Sequence, residues 1–167
     1  MIADLVRLLQ PTDVEVFRRI RLEALREEPA AFASTASDWE LLSDRDWRRL
    51  LADTSVFVAF CNDEPVGIMG LVRQRPRKMA HRASIVMVYV RQSLRGGGVS
   101  NELFDALISY ACETGIRQLE LEVSAENLGA QHFYLRKGFT AFGRIPGGYL
   151  QNGREIDEIL MARRVDN

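Results

Sequence analysis

The chain has 167 residues, 47% of them hydrophobic, with 22 basic residues set against 23 acidic ones. That length suits one compact domain with a substantial core, and the near-cancelling charge argues against a general nucleic-acid binder, which carries a basic excess or stripe. No apolar run approaches the about 20 residues that span a bilayer, and the first residues alternate apolar side chains with acid and base rather than forming a leader.

The first strand is predicted at 5–9, stopped by Pro11. Thr12 followed by Glu15 reads as a capping box opening a helix whose buried stripe is Val14, Phe17, Ile20, Ala24 and Leu25. Arg18, Arg19, Arg21 and Arg26 crowd the other side, as a solvated face or a substrate-binding one. Residues 29–42 read as irregular. Ser43 then caps a short helix carrying Trp47, Leu50 and Leu51, with Asp46 near its positive end. Strands at 55–61 and 65–72 form a hairpin through Asn62-Asp63-Glu64. The next connection gathers Arg73, Arg75, Arg77, Lys78 and Arg82, as a solvated tip or a steering site for an anion.

A fourth strand is predicted at 81–90 and a third helix at 98–114, ended by Gly115. The fifth strand, 118–123, alternates Leu119, Leu121 and Val123 with Glu120 and Glu122, so the two acids share one face. A helix capped by Asn127 and ended by Gly138 follows. Strands at 139–144 and 155–163 then flank a Pro146-Gly147-Gly148 turn and an Asn152-Gly153 hairpin signal. This order predicts one α/β domain over 1–167, with a mixed sheet, its fourth and fifth strands parallel across a helix, and helices on both faces. Cys61 and Cys112 lie far apart with no C-x-x-C, so unpaired thiols in a reducing cytoplasm are expected, with a chance or regulatory pair as the alternative. His81 and His132 fall short of a metal constellation, and structural or surface roles are expected for both.

Chemistry concentrates where the fourth strand ends. The β-branched run from Ile85 to Val90 passes through Arg95-Gly96-Gly97-Gly98-Val99-Ser100 into a helix marked by Val99, Leu103, Leu107 and Ile108. The first amides of a helix lack intrahelical acceptors and carry the positive end of its dipole. Glycines before them remove the Cβ atoms that would hold a diphosphate away. There is no Gly-Lys-Ser/Thr, and Asn101 stands where a dinucleotide fingerprint has its last glycine, so nucleotide hydrolysis and nicotinamide chemistry are disfavoured. Three consecutive glycines are also compatible with a plain flexible turn.

A second segment, Asn127-Leu128-Gly129-Ala130-Gln131-His132-Phe133-Tyr134-Leu135-Arg136-Lys137-Gly138-Phe139, completes a pattern. Arg-x-x-Gly-x-small after an apolar strand, followed by Asn-x-x-Ala-x-x-Phe-Tyr-x-Arg-x-Gly-Phe, resembles the acetyl-CoA motifs of the GCN5-related N-acetyltransferase (GNAT) superfamily. Leu22-Glu23-Ala24-Leu25, Pro29-x-x-Phe32, the strand opening at His81 and Asp157-Glu158-x-x-Met161 extend the resemblance over nearly the whole chain, to a bacterial branch of unassigned substrate.

The resemblance implies the GNAT fold, with its mostly antiparallel sheet and parallel β4/β5 pair. It implies an acetyl-CoA-dependent N-acetyltransferase that moves an acetyl group directly to a primary amine of a small molecule, amino acid or peptide. Acetyl-CoA is the co-substrate, and no metal, nucleic acid or membrane partner is implied. In such a protein the fourth strand bulges and parts from the fifth. Val88, Tyr89 and Val90 then meet the pantetheine arm, and Arg95, Gly96, Gly97, Gly98, Val99 and Ser100 hold the pyrophosphate. Asn127 contacts the arm besides capping its helix, and Tyr134 returns a proton to the departing thiolate. A core aromatic is the alternative reading of Tyr134. Ser100 replaces the family's glycine or alanine, and its small hydroxyl is compatible with binding. The fourth strand offers no carboxylate, so Glu122 is the first candidate for the base, ahead of Glu23, Asp157 and Glu158. Two other classes stay in view: a non-catalytic acyl-CoA-binding or sensing domain, and an interaction domain whose glycine turn binds nothing. Segments 29–42 and 144–153 are expected to shape the acceptor site. Homodimerisation through an exposed strand or helix face is compatible with the sequence.

Overall fold

A computed structural model describes residues 3–165; Met1 and Ile2, where the N-terminal reading begins, lie outside the described residues. Seven strands form one sheet in the order β1-β2-β3-β4-β5-β7-β6. They are β1 (Leu5–Leu8), β2 (Ser55–Cys61), β3 (Glu64–Arg73), β4 (Arg82–Val90), β5 (Gln118–Ser124), β6 (Thr140–Gln151) and β7 (Arg154–Arg164). Every neighbouring pair is antiparallel except β4 and β5, which run parallel through the crossover helix between them.

Alternation along β2 explains the layering. Phe57, Ala59 and Cys61 enter a core shared with α4 (Val99–Glu113) and α5 (Leu128–Arg136). Val56, Val58 and Phe60 enter a second core on the opposite face, under α1 (Val14–Glu27), α2 (Ala36–Glu40) and α3 (Asp44–Asp53). Both faces of the central strands are therefore dry. The second core is locked by Phe17 and Trp47, whose rings meet edge to face at 5.4 Å. Ser43 caps α3 as anticipated: its hydroxyl accepts from Asp46 N–H at 3.1 Å, and Asp46 accepts from Ser43 N–H at 3.2 Å.

Four local expectations are corrected. The Thr12–Glu15 box gives way to a 3-10 turn at Pro11–Asp13, because Pro11 pre-sets the first turn, and Asp13 accepts from Gln10 N–H at 2.7 Å and pairs with Arg7. Segment 29–42 contains a 3-10 turn, Pro29–Ala31, and the short helix α2, capped by Thr35. The sixth strand does not stop at 144. It continues to Gln151, with a register slip between Ile145 and Tyr149 where Pro146-Gly147-Gly148 intervenes; an edge strand tolerates this, since only β7 pairs with it. Finally, Arg21 is not solvated: it is 4% exposed, inside the second core's margin. Its position follows helical spacing, since residues 17, 20, 21 and 24 fall on one stripe. The Asn152-Gly153 hairpin forms with φ of 53° and 76°.

Candidate functional site

The parallel pairing of β4 with β5 is brief. Arg82, Ala83 and Ser84 face Gln118, Leu119 and Glu120, and beyond Ser84 the two strands have no paired residues. β5 stays paired with β7 along its whole length, so the gap leaves a backbone edge of β4 without a strand partner. Within that stretch β4 bulges. Its register with β3 slips between Ile68 and Gly70, and Met87 adopts φ of 56°, a left-handed conformation that costs a non-glycine residue about 1–2 kcal/mol. After the bulge Tyr89 points into the α1-side core and Val90 into the α4-side core.

A cleft of ≈ 790 Å³ opens at this gap. Its first wall is the glycine turn and the start of α4. Gly96 and Gly98 have φ of 79° and 98°, the region that L side chains avoid. The first intrahelical bond runs from Glu102 N–H to the Gly98 carbonyl at 3.0 Å, which leaves the amides of 99–101 without an intrahelical acceptor. Arg95, Gly96, Gly98, Ser100 and Asn101 border the cleft. Gly97 does not; its N–H points to the Leu94 carbonyl at 3.3 Å. Val99 is fully buried in the core and offers the turn only its backbone. The Arg95 side chain is engaged elsewhere, donating to the Val90 carbonyl at 2.9 Å and to Glu28 at 2.6 Å.

The second contribution comes from α5. Asn127 Oδ1 accepts from Ala130 N–H at 3.1 Å, the predicted cap, and borders the cleft. Tyr134 is 5% exposed, its ring edge-on to Phe133 at 5.4 Å and Phe139 at 5.6 Å. It nevertheless borders the cleft. The core-aromatic reading of Tyr134 describes its packing, and the residue also borders the cleft. Burial pushes its phenol pKa up, so the group stays protonated at neutral pH. Val88, Tyr89 and Val90 border the same space.

A second wall comes from segments distant in sequence. Ala30, Ala31 and Phe32 border the cleft together with Tyr149, Gln151 and Ile156, and Tyr149 donates its hydroxyl to the Ala30 carbonyl at 2.8 Å. Both segments singled out in the sequence thus reach the cleft. Spacing gives no sign of their partnership.

The candidate bases separate clearly. Glu23 is held by Arg91 at 2.7 and 2.9 Å and by the Tyr89 hydroxyl at 3.0 Å. Burial, and then this carboxylate, push the Tyr89 phenol well above its ordinary value. Asp157 accepts from Gly147 N–H at 2.9 Å and from Arg144 at 2.7 Å, which hold it below the usual carboxylate range. Glu120 is gripped by Arg82 and Gln118 and is likewise lowered. Glu122 is exposed on β5 and does not border the cleft. Its register partner is Leu160, next but one to Glu158 on β7, and Glu158 has a raised pKa from burial first and from the charge of Glu122 second. Glu158 lies beneath the β6 slip: a Cβ added at Gly148 would come within 2.4 Å of its Oε1. Among the described residues no three His, Cys, Asp or Glu side chains gather as metal ligands, and no helix is long and apolar enough to cross a membrane.

Residues 18–139 match the family described as Acetyltransferase (GNAT) family. An uncharacterized N-acetyltransferase of Methanocaldococcus jannaschii is 34% identical over 95 residues, 56% of this chain and 42% of that protein, so the chain matches less than half of that relative's length. The GNAT-family acetyltransferase of Streptococcus pneumoniae superposes with a TM-score of 0.82 at 23% identity, covering 97% of this chain and 99% of that one. A GNAT superfamily phosphinothricin acetyltransferase from Sinorhizobium meliloti, solved with acetyl-CoA, superposes with a TM-score of 0.79 at 19% identity over 98% and 89% of the two chains. At these identities the superpositions speak for the fold, while the family match covers most of the sequence. The chain belongs to the GNAT acetyltransferase family.

Proposed function

We propose that this protein transfers the acetyl group of acetyl-CoA directly to a primary amine of a small molecule, amino acid or peptide. One observation carries the reading: the amide-lined start of α4, the partnerless edge of β4 and Tyr134 all open onto one cleft. The residues suit the coenzyme. Amides 99–101 with Gly96, Gly98 and small Ser100 beside them make a diphosphate cradle that needs no basic side chain, in keeping with Arg95 being spent on Val90 and Glu28. Val88, Tyr89 and Val90 offer backbone groups to an extended amide-bearing arm, and Asn127 stands beside it.

When bound, the thioester supplies an activated acyl carbon. A neutral amine attacks it, the carbon–sulfur bond breaks, and two protons must move. Tyr134, kept neutral by its surroundings, gives its proton to sulfur as the bond breaks and regains one from solvent. An ammonium with a pKa near about 10 must first be deprotonated, and we assign that task to Glu122 acting through water with Glu158 behind it. Holding both reactants in one cleft supplies the rest of the acceleration.

The exposed position of Glu122 favours a second reading, an acyl-CoA-binding or sensing domain on the same fold. Calorimetric titration with acetyl-CoA, followed by thiol release over a panel of amino acids, peptides and simple amines, tests both. Amine-dependent thiol release supports the enzyme; binding with no release for any amine selects the sensor; no binding removes both.

A further inference from the structure

Each basic residue along α1 has a carboxylate partner except one. Arg18 pairs with Asp44, Arg19 with Glu64 and Arg26 with Glu40 at 2.7 Å. Arg21, the most buried of the four, has no ion pair or hydrogen bond among the described residues, and its Nε and Nη1 are sealed from solvent without an acceptor. Only aromatic faces meet it: its guanidinium carbon lies 4.8 Å from the Phe32 ring centroid and 4.5 Å from that of Trp39. Burying an unpaired cation costs several kcal/mol after relaxation, and ring faces return about 2 kcal/mol when desolvated. Desolvation lowers its pKa to about 10, which leaves it cationic at neutral pH.

Phe32 joins this cation to the cleft. It packs on Arg21 and borders the cleft together with Ala30 and Ala31. The ring belongs to the short irregular stretch between the Pro29–Ala31 turn and α2, so it can swing without breaking a helix or strand. The geometry points to Arg21 as the binding site for a carboxylate carried by the acceptor, reached from the cleft by displacement of the Phe32 ring. The acceptor class is then an amine that also bears a carboxylate, as in an amino acid or a peptide with a nearby acidic group. A planar guanidinium already ordered by two rings matches a carboxylate with paired hydrogen bonds and loses little freedom on binding. This inference rests on the acetyl-transfer reading for the place of the acceptor.

The test is calorimetry on the CoA-saturated protein with N-acetyl-L-alanine, N-acetyl-L-leucine and N-acetyl-L-glutamate, each against its C-terminal carboxamide. Wild type should bind at least one acid about ten- to a hundredfold more tightly than its amide. Arg21→Met should reduce that preference to below about threefold, and Arg21→Lys should keep only part of it, because an ammonium lacks the planar fork. Affinity for CoA should be unchanged in both variants. Wild type that binds acids and amides equally, or binds no acid at millimolar concentration, overturns the inference without reference to any variant. So does a folded Arg21→Met that keeps the preference, or that loses CoA affinity instead, which would assign the anion to the coenzyme. A purely structural Arg21 would lower the melting temperature in both variants and leave the acid-to-amide ratio alone. Failure of CoA itself to bind would instead remove the acetyl-transfer reading.

Discussion

The two walls of the cleft are made of different materials. The glycine-turn wall is largely main chain: the start of α4, two residues at positive φ and a strand edge without a partner, with its one arginine already engaged. The second wall is side chains contributed by the 30–32 segment and the β6–β7 hairpin, tied by the Tyr149 hydroxyl to Ala30. A backbone cradle recognises what all its ligands share. On the proposed function, a wall of side chains from separate segments is where one acceptor would be told from another. The difference predicts that changes on the first wall alter coenzyme binding or turnover for every amine, and changes on the second alter which amine is used.

The largest expected effect is at Tyr134, the proposed proton donor. Tyr134→Phe should lower kcat by about a hundredfold while leaving acetyl-CoA affinity within about twofold, as for loss of a general acid; an unchanged rate in steady-state assays would remove that role. Next, Ser100→Val places a branched side chain at the cradle and should weaken acetyl-CoA about tenfold or more, with all amines affected alike, whereas Ser100→Gly should change affinity little. A Ser100→Val protein that binds normally by calorimetry would mean the cradle lies elsewhere.

Outside both walls, Glu122→Gln should reduce kcat/KM about tenfold and move the acid limb of its pH profile. Removing the charge of Glu122 relaxes the raised pKa of Glu158, so the base form persists to lower pH and the limb shifts downward. A limb that stays in place would detach this pair from the reaction. The smallest effect concerns the sheet behind both walls. Arg82 holds Glu120 below its ordinary value of about 4.3, so this pair stabilises the fold above that pH and the contribution fades as pH falls through the lowered value. Glu120→Gln should cost about 1 kcal/mol at pH 7 and progressively less in acid, read by denaturant unfolding at several pH values.

How much of this is written locally follows the same division. β2's alternation, the Ser43 cap, the Asn152-Gly153 hairpin and the glycine turn are short-range patterns, and each forms where the sequence places it. The Asn127 cap is legible for the same reason, and Tyr134 follows it on the same helix. The side-chain wall was not. Tyr149 meets Ala30 across 119 positions and Arg91 meets Glu23 across 68, distances over which periodicity carries no information. Arg21 is the instructive case between them. Its charge argues for water, and the sequence reading sets it beside Arg18, Arg19 and Arg26; helical spacing also allows the 17-20-21-24 stripe, and the arrival of Phe32 and Trp39 from the next segment decides the matter. Similarly, Pro146 reads as a stop in a central strand and is harmless on the outer one, a distinction set by topology.

The bulge at Met87 acts as a parity device. A strand assigns odd and even positions to opposite sides, and one supernumerary residue swaps the assignment for everything downstream. Straightening β4 while keeping that residue would turn the phenol of Tyr89 into the apolar layer under α4 and Val90 toward the α1 side, stripping the Glu23–Arg91 cluster of its hydroxyl donor. The strained φ at one methionine is thus what lets a single strand border the cleft and also reach an ionic network through Tyr89.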